Sequence, residues 1–117
     1  MIVFEVTRNG ERLCLAGADD LGVLNAIVSA VGRLGPATTS RRPDEGDVDI
    51  HLSVGGLTSR ADSAGDVHPR WRSLEPLAVG DVITVRVLEA DAADPPAFEM
   101  PAAGRAGPAS GDPPGPD

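Results

Sequence analysis

The chain has 117 residues and a mass of 12.0 kDa, room for one domain, and carries 18 acidic against 10 basic residues for a net charge of −8. All ten basic residues are arginine, which excludes Schiff-base chemistry and a phosphate-binding lysine loop; the single cysteine, Cys14, excludes an internal disulfide and a Cys₄ zinc site. No apolar run approaches the length of a membrane helix, and Met1-Ile2-Val3-Phe4-Glu5 meets an acid where a signal peptide needs a basic start, so the expectation is a cytoplasmic protein without a membrane role.

The first element is a hairpin. Ile2, Phe4 and Val6 alternate with Val3, Glu5 and Thr7, and Asn9-Gly10 supplies the two positive-φ positions of a type I′ turn. A two-residue loop pairs Arg8 with Glu11, Val6 with Leu13 and Phe4 with Leu15, and places Cys14 on the opposite face.

A helix is expected next, over about 20–34. Leu24, Ile27, Val28, Val31 and Leu34 form one stripe of a 3.6-residue period, Asp19 or Asp20 can cap its start, and Gly35-Pro36 stops it. After a polar loop containing Arg41-Arg42-Pro43, a third strand turns Val48, Ile50, Leu52 and Val54 one way and Asp47, Asp49, His51 and Ser53 the other, ending at Gly55-Gly56. Residues 57–78 read as a long irregular connection with room for a short strand near 67–73. The β-branched run Val82–Leu88 reads as an interior strand.

From residue 92 the chain is rich in Pro, Gly and Ala, without apolar periodicity. Such a composition cannot offset the entropy of ordering, so residues 1–91 read as one domain and 92–117 as a disordered acidic tail.

The order strand, strand, helix, strand, long loop, strand is an α+β pattern of two layers. Over residues 2–88 it resembles the β-grasp, the ubiquitin-like arrangement, which implies a last strand beside and parallel to the first. Leu77-Ala78-Val79-Gly80-Asp81-Val82-Ile83 is similar to the lead-in of the last strand in sulfur carriers of that fold. Carriers end in Gly-Gly, whereas this chain ends in Gly115-Pro116-Asp117, so the resemblance implies no carrier activity. The run from Gly80 to Asp91, Gly-Asp-x-Ile-x-Val-x-Val-x-Glu-Ala-Asp, is also similar to endings in small bacterial proteins, and that implies no activity either.

Catalytic signals are weak. Asp47, Asp49 and His51 stand close enough on one strand face to share a cation, but an amphipathic strand carries such residues on its solvent side anyway. No serine nucleophile motif occurs, and Cys14 reads as a small hydrophobe. The chain therefore reads as a non-enzymatic module with neither cofactor nor metal.

Trp71, the sole tryptophan, lies between Arg70 and Arg72 and close to His68. It reads either as a plug over the core or as an exposed anchor, since Trp and Arg dominate interface hot spots. The expected function is docking of a protein partner through the 57–76 loop, by Trp71, Arg70, Arg72 and His68. An acidic inhibitor, of the immunity-protein or antitoxin kind, is the alternative; it would cover a basic active site with Asp47, Asp49, Glu89 and Asp91. Net charge −8 argues against nucleic acid. The chain is expected to be a monomer or weak homodimer, with a bare sheet face carrying Val3, Cys14 and Ala16 among polar residues.

Overall fold

The computed structural model describes residues 1–39 and 48–102. They form seven strands: β1 (Ile2–Arg8), β2 (Glu11–Ala16), β3 (Leu21–Val31), β4 (Asp49–Thr58), β5 (Val67–Leu77), β6 (Ile83–Glu89) and β7 (Phe98–Pro101), with one 3₁₀ turn at Ser63–Gly65. No α-helix occurs among the described residues. The strands make two antiparallel sheets, ordered β2-β1-β6 and β3-β4-β5-β7. Their inner faces meet through Val6, Cys14 and Ala16 of the first sheet and Leu52, Val54 and Trp71 of the second.

The α+β, β-grasp-like expectation is therefore corrected to an all-β, two-sheet fold. The segment read as a helix is β3. Its stripe at helical spacing is real, but Val23, Ile27, Val28 and Val31 are β-branched, and Gly22 and Gly32 weaken a helix. Apolar residues fall at both parities, so the same run also satisfies a strand that turns Leu24 and Ala26 to the core and Val23, Ile27 and Val31 outward. The last long strand, β6, is also antiparallel to β1, where the β-grasp resemblance implied parallel pairing. It lies at the edge of its sheet rather than inside, which leaves Val85 and Val87 exposed.

The hairpin forms on its turn: Asn9 and Gly10 have φ of 53° and 85°, and Arg8 pairs with Glu11. A bulge then shifts the ladder by one residue, so that Val6 pairs with Cys14 and Phe4 with Ala16. That shift turns Cys14 and Ala16 into the core instead of onto the expected bare face. Val3 is also fully buried, and a Cβ at Gly17 would press on its side chain.

Gly55-Gly56 does not end a strand; it is the middle of β4. A Cβ on Gly56 would collide with the Val23 carbonyl oxygen, and one on Gly55 would lie 2.9 Å from Cδ of Arg70 and 3.0 Å from the Pro69 carbonyl oxygen. The two glycines let β3 and β5 close in on either side. The expected loop over 57–78 is mostly β5. Its prolines lie within the ladders, Pro76 opposite His51 of β4 and Pro69 opposite Glu99 of β7, and two bulges interrupt the pairing of β5 with β4. One of these holds Leu74 at φ 53°.

The proline-rich segment from residue 92 is also drawn into the fold as far as Ala102. Asp94 exchanges hydrogen bonds with Leu15 along the β2 edge, and Phe98–Pro101 pairs with β5 as β7. Residues 103–117 lie outside the described residues.

Candidate functional site

Alternation along β5 decides which of its side chains a partner can reach. Pro69 and Trp71 point between the sheets, and His68 and Arg70 point away from them. A bulge between the Gly55–Arg70 and Val54–Arg72 pairs inserts Trp71 as an extra residue. Trp71 and Arg72 consequently both face the other sheet.

Trp71 is 4% exposed and packs on Val6, Cys14, Leu52 and Val54. Its indole Nε1 donates to the Asp94 carbonyl at 2.8 Å. It is a core plug, which corrects its reading as an exposed anchor. Arg72 is a strut between the sheets: its guanidinium donates to the Leu13 carbonyl at 2.6 Å and faces Glu75 at 3.5 Å. It also stands near Cys14, whose thiol burial pushes up and Arg72 partly pulls back. Trp71 is closed to a partner, and the Arg72 side chain, about a third exposed, is held by its bonds to Leu13 and Glu75.

His68 and Arg70 remain on the outer face of the four-stranded sheet. The His68 ring donates from Nδ1 to the Gly56 carbonyl at 3.2 Å, which lays the imidazole across β4 and leaves Nε2 as its other polar atom. The Arg70 side chain runs over Gly55, where the missing Cβ makes room. Its guanidinium makes no hydrogen bond or ion pair among the described residues, whereas Arg8, Arg12, Arg60, Arg72 and Arg86 all face carboxylates.

Directly paired residues of antiparallel strands share a face. Phe98 pairs with Arg70, and Met100 with His68; on β4, Leu57 pairs with Val23 of β3. The outer face thus carries Val23, Leu57, Phe98 and Met100 beside one imidazole and a guanidinium that is unpaired among the described residues. Phe98 and Met100 are nearly half exposed. Both fall in the segment that the composition assigns to a tail, where their alternation about Glu99 is the one signal of a strand.

Among the described residues the acidic alternative is split between the two sheets. Asp49 pairs with Val31 at the far end of β3, while Glu89 pairs with Ile2 in the other sheet, which lies beside Leu21 at the near end. The two ends of β3 are about 33 Å apart at the usual rise. Asp91 follows Glu89, and Asp47 lies outside the described residues, as do Arg41 and Arg42. Arg60 is tied to Asp20 at 2.8 Å.

Asp49 and His51 do share the outer face of β4, in a hollow lined also by Val31, Val48, Leu74 and Pro76. Among the described residues no group of three His, Cys, Asp or Glu side chains stands together to hold a metal ion, and no helix is long and apolar enough to cross a membrane. No protein-family model matches the chain, and neither a curated protein nor a solved structure does.

Proposed function

We propose that this chain is a non-enzymatic protein-binding module that docks its partner on the outer face of the four-stranded sheet. The observation that supports this reading is Arg70: an extended guanidinium without a carboxylate among the described residues, set among the exposed Phe98, Met100 and Val23. Arg beside aromatic and Met side chains is the composition of interface centres. The partner that fits is a protein segment presenting apolar side chains and at least one carboxylate for Arg70.

The test is affinity capture from the native cell extract, followed by affinity measurement on whichever protein is retained. Arg70→Glu and Met100→Asp release the partner with the circular dichroism spectrum unchanged, and binding weakens with salt. Val87→Asp, on the exposed β6, leaves capture intact. A partner held equally by both face variants overturns the reading.

A further inference from the structure

An edge strand of a sheet is normally protected. The β2 edge is covered by Asp94, which bonds both backbone groups of Leu15. β7 has four residues and carries Glu99 and Pro101; β6 carries Arg86 and Glu89. β3 is different. It has eleven residues, no proline and no charge, and exposes Val23, Ile27, Val28 and Val31. Its one irregularity falls between Leu21 and Val23, so Val23–Val31 is an unbroken ladder whose other side pairs with no strand among the described residues. Such an edge is a template for another strand.

The sequence of that edge names its partner, because it is self-complementary about Ile27. In antiparallel pairing with a second β3 across a two-fold axis, Ile27 meets Ile27, Val23 meets Val31, and Asn25 meets Ser29. On the inner side Leu24 meets Ala30 and Ala26 meets Val28, a large residue against a smaller one each time. No like charges meet. The exposed Asp19 of one copy and Arg33 of the other come to the same end of the ladder. An isologous two-fold contact requires this kind of self-match.

We infer that β3 is a homodimer interface, in which two copies pair edge to edge about Ile27 and join their four-stranded sheets into one of eight strands. This goes beyond the docking proposal and does not depend on it. Edge pairing uses backbone groups and leaves the outer face open, so Arg70 and Met100 of both copies stay accessible.

Light scattering and sedimentation on the full chain measure the mass, and cysteine cross-linking reads the register. The wild type runs at twice 12.0 kDa. Ile27→Lys, which sets two ammonium groups against each other on the axis, returns the monomer with its dichroism spectrum retained. Directly opposed residues on antiparallel strands sit within disulfide reach. In a Cys14→Ala background, Ile27→Cys therefore gives a disulfide-linked dimer on mild oxidation, and Ala30→Cys, which faces Leu24, does not. Should Ile27→Lys fail to fold, the cysteine pair decides. A monomeric wild type overturns the inference, including one whose β3 takes up a different protein. So does a dimer that survives Ile27→Lys, or one that cross-links at Ala30→Cys and not at Ile27→Cys. Retention of a partner by the monomeric variant bears only on the docking face, so the two proposals fail separately.

Discussion

The Trp71 indole of one sheet is hydrogen-bonded to the Asp94 carbonyl, and Asp94 is in turn bonded to Leu15 of the other sheet through its own N–H and its carboxylate. A single residue in the segment after β6 thus couples the largest core side chain to the edge of the opposite sheet. Trp71→Ala removes the plug and is expected to cost about 3–5 kcal/mol. Trp71→Phe keeps a ring but leaves the carbonyl without its donor, a loss of about 1 kcal/mol from that bond alone. Urea titration separates the two, and the wild-type tryptophan emission is blue-shifted and shielded from acrylamide until the chain unfolds.

The same contact sets where the domain ends. A chain cut after Ala92 loses Asp94 and β7, and one cut after Ala102 keeps both. The shorter form is expected to melt well below the longer, or not to fold, which differential scanning calorimetry reads directly.

A second clasp holds the hairpin turn to the turn before β6. Asp81 accepts from the Ala78 backbone N–H and the Asn9 side chain, and faces Arg8 at 2.8 Å; the Asn9 backbone N–H donates to the Val82 carbonyl, and its side-chain Oδ1 accepts from the Val82 N–H. These donors hold the Asp81 carboxyl below its ordinary value, the Ala78 N–H first and the Asn9 amide next. A lowered folded pKa contributes stability at pH above the unfolded value, and that contribution is lost as pH falls through the folded one. The melting temperature of the wild type should therefore exceed that of Asp81→Asn near neutrality. The gap should close as pH drops below about 4, the ordinary aspartate range.

Gly56→Ala tests the approach of β3 to β4. The added methyl meets the Val23 carbonyl oxygen, a backbone atom that no side-chain rotation can clear. The expected destabilisation is about 1–3 kcal/mol, read by chemical denaturation.

Cys14 is predicted to be inert in the folded chain. Burial raises its thiol pKa, with Arg72 opposing. A thiol reagent at neutral pH should therefore modify it only at the rate of unfolding, and Arg72→Met should not speed the reaction unless it destabilises the fold.

What the sequence disclosed was local. Asn9-Gly10 and the alternation before it specify a turn and a strand within a few residues, and both are present. The inward row Leu52 and Val54 was equally plain. What escaped was set by neighbours. Nothing in Glu11–Ala16 alone marks the bulge that sends Cys14 inward, and nothing in Pro69-Arg70-Trp71-Arg72 marks the one that parts Arg70 from Arg72. β3 was misassigned because a run apolar at both parities fits a helical stripe and a strand equally, and only pairing with β4 decides. Of the four residues expected to meet a partner, His68 and Arg70 lie on the outer face and Trp71 and Arg72 on the side of the other sheet, a division made by that single extra residue in β5.

The position of β1 governs how the chain can fold. Arg8 meets Glu11 across a two-residue turn, yet its other neighbour, Ile83, is made only after β3, β4 and β5. During synthesis the first hairpin waits for its second flank and for Leu52, Val54 and Trp71 to cover Val6 and Cys14, and a lone hairpin is marginal in water. The amino-terminal half has no stable resting state of its own. Folding of the whole domain is therefore cooperative and late, governed by long-range closure and falling in the millisecond-to-second range typical of such topologies.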